Sequence, residues 1–163
     1  MSKYTIREGV WETNSSSVHS ITINPRGLRK CNLKPQADGY IHVPLRYFGK
    51  DEHTYKSQKD KLSYLLTCVA YMAGCGNGYA DYERYYDDYH FKEVEEAIRH
   101  YIEPFNSDFT VLGIKVDHLD KAELDHQSIP EYGEFPIDVS IWNEKSIQNF
   151  VFNSYVYLHT DCD

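Results

Sequence analysis

Between Tyr55 and Pro104 the chain carries two stretches of helical period, parted by three glycines at alternate positions. In the first, Leu62, Leu65, Leu66, Val69 and Met72 fall three and four residues apart, one stripe of a helix expected from Tyr55 to Ala73. Lys56, Lys59, Asp60 and Lys61 are expected on its wet side. Gly74, Gly76 and Gly78 end it, because glycine leaves the right-handed helical region without steric cost. No Gly-Lys-Ser/Thr follows these glycines, so they do not indicate a phosphate loop. A second helix is expected from Ala80 or Asp81 to about Glu103, stopped by Pro104. Tyr82, Tyr85, Tyr86 and Tyr89 form a tyrosine stripe along it, continued by Phe91, Val94, Ile98, Tyr101 and Ile102.

Strand-like segments flank this helical middle. Tyr4 to Trp11 and Val18 to Ile23 read as two strands, and Asn24-Pro25-Arg26-Gly27 as a turn after them. Tyr40 to Val43 is a short strand stopped by Pro44. Phe109 to Val116 is β-branched, aromatic and continuous, and is expected to be a central strand. Residues 129–139 carry Pro130, Gly133 and Pro136 and read as loop. A third helix is expected from about Trp142 to Phe152, and Tyr155 to His159 alternates like a closing strand. Strands at the start, middle and end with helices between predict a single compact α+β domain over residues 1–163. Its sheet would be mixed or antiparallel, packed with two to three helices.

Charge is placed unevenly. Residues 1–63 hold 11 Lys/Arg against 6 Asp/Glu, whereas residues 64–163 hold 6 against 19, for a net charge of −8. The acidic part repels phosphate, so direct nucleic-acid binding is not expected there, and a basic protein partner suits it better. No run of about 18 apolar residues is present, so no membrane span is expected. The first residues, Met1 to Ile6, lack a signal-peptide core, which points to the cytoplasm. There, Cys31, Cys68, Cys75 and Cys162 are expected as thiols or metal ligands rather than disulfides.

The polar run Trp11 to Ser20, with Ser15, Ser16 and Ser17 in a row, cannot fill a core. It reads either as a turn between strands or as a loop that delivers Glu12, Asn14 and His19 to a site. Imidazole and thiolate bind Zn²⁺, and a closed structural site needs four ligands. No Cys-x-x-Cys or His-x-x-x-His pair is present, so a metal must be assembled from distant segments: His19, Cys68, Asp125 and His126 are the candidates. His42, His53, His90, His100 and His159 have no identifiable partner in the sequence. A nucleophilic reading would use one of Ser15 to Ser17, with His19 or His126 as base and Asp125 as orienter. No Gly-x-Ser-x-Gly elbow supports it.

The block Glu12-Thr13-Asn14-Ser15-Ser16-Ser17-Val18-His19-Ser20 resembles the opening of a group of small phage and prophage proteins. The resemblance continues at Lys61 to Thr67 and at Asp125-His126-Gln127-Ser128, and covers about a quarter of the chain. This chain departs from the group in Trp11 and in its ending, Thr160 to Asp163. The resemblance implies a phage accessory protein of the bacterial cytoplasm and adds weight to His19 and Asp125-His126. Small acidic phage proteins of this sort resemble counter-defence factors, type II anti-CRISPR proteins among them. Cas9-type nucleases hold guide and target in basic channels. The expectation is therefore a non-enzymatic inhibitor that binds a Cas9-like effector. Tyr82, Tyr85, Tyr86, Asp87, Asp88, Glu95 and Glu96 would form its partner surface, and a structural Zn²⁺ would sit on the four candidate ligands. The alternative is a metal-dependent hydrolase or transferase acting on a nucleotide or protein, with His19 and His126 at its site.

Overall fold

The computed structural model describes residues 6–8, 17–23, 31–49, 53–105, 110–124 and 143–162; in 6–8, 17–23 and 161–162 it describes the backbone. The architecture is α+β. The largest sheet has four antiparallel strands in the order β1 (Ile6–Glu8), β2 (Ser17–Ile23), β8 (Tyr157–Cys162) and β5 (His53–Tyr55). Two parallel pairs complete the set: β3 (Tyr40–Pro44) with β6 (Gly113–Asp117), and β4 (Tyr47–Phe48) with β7 (Glu123–Leu124). The helices are α1 (Gln58–Met72), α2 (Tyr82–Asp87), α3 (Tyr89–Ile102) and α4 (Glu144–Phe152).

Helix α1 is the centre of the packing. Ser57 caps it: its backbone is extended, and its hydroxyl accepts the N–H of Asp60. Every residue from Lys61 to Ala70 is buried, and the helix touches α3, α4, β3 and β7. A helix walled in on all sides has no wet side at its middle, and Lys61, expected in water, is only 1% exposed. Its ammonium donates to the backbone carbonyls of Asn153 and Val156, 2.9 Å each, tying α1 to the turn between α4 and β8. Buried residues from Leu33 to Leu158 form one apolar cluster around this helix.

After α1 the chain reverses in a tight turn in which Gly76 and Tyr79 exchange backbone hydrogen bonds of 2.6 and 2.9 Å. Gly76 sits at φ 93°, and a Cβ there would collide with the carbonyl oxygen of Ala122. The glycine is thus required twice over, by backbone conformation and by the close approach of a neighbouring segment.

The expected single helix of 80–103 is two. Asp88 breaks it with an extended backbone, φ −62° and ψ 138°, and its carboxylate accepts the N–H of His90. Asp81 caps α2 in the same way, accepting from Arg84. Two aspartates seven residues apart each start a helix, which is what an N-cap aspartate does.

Strand β6 departs from expectation too. It lies in a two-stranded pair, not at the centre of a large sheet. The N–H groups of Ile114 and Val116 find acceptors outside the sheet. Glu95 Oε1 accepts from Ile114 at 2.8 Å and Tyr86 Oη accepts from Val116 at 3.0 Å. Gly113 makes room for this: a Cβ there would run into the Glu95 carboxylate.

Candidate functional site

The residues named as a partner surface separate into three groups once α2 and α3 are seen in place. Tyr85 belongs to the core. It is fully buried, its hydroxyl donates to the Leu66 carbonyl at 3.0 Å, and its ring packs on Phe91 with centroids 5.1 Å apart. Burial holds its phenol well above the usual tyrosine range. It cannot meet a partner, and this corrects the sequence expectation. The period of the stripe placed it on one face with Tyr82 and Tyr89, but α1 covers that position.

Tyr86, Asp88 and Glu95 form the second group, half-buried and committed to the fold. Tyr86 and Glu95 satisfy β6, and Asp88 caps α3. Burial raises the Tyr86 phenol too, partly offset by the hydrogen bond from Val116.

Asp87, Glu96 and Tyr82 make up the third group, and these are exposed. The Asp87 and Glu96 side chains are 78% and 68% open to solvent, and their pairs with Lys92 at 3.4 Å and His100 at 3.9 Å are exposed, so a partner's cations can reach them. Tyr82 is 41% exposed, its hydroxyl accepting from the Leu119 N–H at 3.4 Å. Sequence reasoning missed three further members of this surface: Tyr79, Tyr89 and Glu83, all exposed. The signal for Tyr79 was its place in the glycine turn, where a large ring has little to pack against. Tyr89 was named in the stripe, but only the break at Asp88 shows that it opens a new helix and points away from the core. It donates its hydroxyl to Glu93 at 2.7 Å, and that carboxylate raises its pKa.

Residues 81–103 hold eight Asp/Glu against three Lys/Arg. Lys92 lies 3.4 Å from Asp87, and Arg99 lies 3.7 Å from Glu103; such exposed pairs are weak and screened by salt. The surface therefore keeps a negative excess with three tyrosines standing in it. Tyrosine brings large contact area at low entropic cost, and acids around it select a basic partner.

Of the four metal candidates, only Cys68 has a described side chain. Cys68 is fully buried in α1 beside Tyr64, and burial pushes its thiol far up. Without a metal these surroundings are those of a small core residue; a zinc ion there would have to take Cys68 as the thiolate. His19 lies on β2 in register with Thr160 of β8, and only its backbone is described. Asp125 and His126 lie outside the described residues, as do Trp11 to Ser16 and the loop 129–139. Among the described residues no group of three His, Cys, Asp or Glu is placed to hold a metal ion.

Several histidines without a visible partner in the sequence do have one. His42 lies 3.0 Å from Asp38 and 3.6 Å from Asp117. His159 bonds Thr54 Oγ1 at 2.9 Å across the β5–β8 pair, and His100 lies 3.2 Å from Glu144. Apart from His42–Asp38, which is four residues apart, these contacts join segments far apart in the chain, which no local pattern reveals. Among the described residues no helix is long and apolar enough to cross a membrane. No family model, curated protein or solved structure matches the chain.

Proposed function

We propose that the chain is a non-enzymatic binding protein that docks on a basic protein surface through α2 and the adjoining parts of its neighbours. The observation that carries this reading is the exposed set Tyr79, Tyr82, Tyr89, Glu83 and Asp87, aromatic anchors within an acidic field. The choice of partner, a Cas9-like nuclease inhibited in the bacterial cell, rests on the resemblance of the opening block to phage proteins and on the basic channels of such nucleases.

The test follows from the three groups above. Glu83→Lys, Asp87→Lys and Glu96→Lys combined should weaken binding to a Cas9-type nuclease at least about a hundredfold, on the order of 3 kcal/mol. The melting temperature should stay within a few degrees of wild type, because all three side chains are exposed. Undiminished inhibition by the triple variant would remove the acidic surface from the proposal. Reversal of Asp88 or Glu95 is not an equivalent test, since either one disturbs the fold.

The proposal keeps a structural zinc on the four ligands His19, Cys68, Asp125 and His126. Elemental analysis of protein purified without added metal or affinity tag, beside a melt in chelator, decides this. About one zinc per chain and a lower melting temperature in chelator are expected. No metal with an unchanged melt would strike zinc from the proposal.

A further inference from the structure

The described part of the molecule also contains a basic cavity, independent of the acidic surface. It lies between residues 32–36, the start of α1 and the end of α4, with a volume of about 460 Å³. That is within the usual size of small-molecule pockets, roughly 300–1,000 Å³. Lys34, Lys56, Lys59 and Lys61 line it, and among the described residues no Asp or Glu does. All four lysines come from the first 63 residues, the net-basic part of the chain. Its floor is apolar, formed by Leu33, Ile41 and Phe152, all buried. Side-chain amides of Asn32 and Gln36 stand at its margin.

Lys61 is the member that demands an explanation. It is 1% exposed, yet no carboxylate pairs with it among the described residues. Two of its three N–H groups go to the carbonyls of Asn153 and Val156. These dipoles orient the ammonium but do not neutralise it, and a buried charge is ordinarily paired. Lys34 and Lys59 are exposed and have no ion-pair partner among the described residues either. Lys56 stands 5.8 Å from the Tyr157 ring centroid. The nearby carboxylates are engaged elsewhere: Asp60 is bound to Arg46 and to the Ser57 hydroxyl, and Asp38 to Lys115 and His42. The first turn of α1 borders the cavity at Ser57, Gln58 and Lys59, so the positive end of the helix dipole faces it.

We propose that this cavity binds a nucleoside phosphate. The phosphate would lie at the start of α1 among Lys34, Lys59 and Lys61, supplying the missing negative charge. The nucleoside would lie over the floor of Leu33, Ile41 and Phe152, with Asn32 and Gln36 to read its polar edge. The apolar floor and the amides distinguish this site from a bare anion site, which needs neither.

The test is calorimetric titration of the full chain, in buffer free of phosphate, with AMP, GMP, CMP and UMP. The corresponding nucleosides and inorganic phosphate are run beside them. At least one nucleotide should bind one to one, and more tightly than both its nucleoside and inorganic phosphate. Lys34→Glu with Lys59→Glu should weaken it by about tenfold or more. Both lysines are exposed, so this variant should fold; a melt confirms that its fold is intact. No nucleotide binding overturns the proposal. Equal binding by the variant overturns it as well, since the nucleotide would then sit elsewhere. Inorganic phosphate binding as tightly as every nucleotide overturns the nucleoside half and leaves a plain anion site. None of these outcomes bears on the acidic surface, whose own test uses a different partner and different residues.

Discussion

Tyr85→Ala should destabilise the fold by about 3 to 5 kcal/mol, the usual cost of removing a large aromatic from a packed core. The ring is fully buried against Phe91 and Tyr86, and its hydroxyl holds the Leu66 carbonyl of α1. Its removal would leave a cavity where α1, α2 and α3 meet. Tyr89→Ala is the matched control, four residues along and 67% exposed. It should change stability by no more than about 0.5 kcal/mol. Urea denaturation of both variants checks the pair. Equal midpoints for Tyr85→Ala and wild type would mean that the tyrosine stripe is not divided between core and surface as described. The pair also bears on function: only the exposed tyrosines can serve as anchors, so Tyr89→Ala can affect partner binding without affecting the melt.

The second large effect is a dependence of stability on pH. Burial pushes the Lys61 ammonium down to about 8 from an ordinary 10.5. Between those values the unfolded chain holds a proton that the folded chain has released. Stability rises with pH wherever the unfolded state binds more protons, so Lys61 makes the fold more stable as pH climbs from about 8 towards 10.5. Integrated over the window, the gain is up to about 3 kcal/mol. Other groups act in the opposite direction. Burial raises the thiols of Cys31, Cys68 and Cys75 and the phenols of Tyr64 and Tyr85. These lose stability as pH rises past their unfolded values. The useful quantity is therefore the difference between wild type and Lys61→Met, measured by urea denaturation from pH 7 to 10. Wild type should gain on the variant steadily above pH 8. A difference that stays flat would show that Lys61 is hydrated and ordinary, and would also weaken the case for an anion site beside it.

Much of the fold was legible in the chain. The period of Leu62 to Met72 and the glycines after it bounded α1 to within a few residues, and Pro104 marked the end of α3. Alternation marked β2 and β8, and Pro44 marked the end of β3. What escaped was set by partners far away in sequence. Strands β4, β5 and β7 are two or three residues long and exist only because each has a neighbour to pair with. Lys61 looked solvent-bound because its flank in sequence is polar; its acceptors lie more than ninety residues away. The break at Asp88 could have been found, since an aspartate followed by helix formers is an N-cap signal. For the site, composition identified the acidic tyrosine-bearing stretch but could not sort core from surface. Helical period says which residues share a face and not what covers it. The basic cavity had a faint trace in the positive charge of the first 63 residues. Its residues meet only in three dimensions.

The contacts of Glu95 and Tyr86 with β6 have a consequence for how the protein behaves at high concentration. A strand with unbonded N–H groups is a template on which another chain can crystallise a further strand, the first step of domain swapping and fibre growth. Here a glutamate and a tyrosine from the neighbouring helices occupy that template at Ile114 and Val116. They act as a plug, holding the two-stranded pair at two strands. Residues that seemed in the sequence to invite a partner thus turn one kind of partner away.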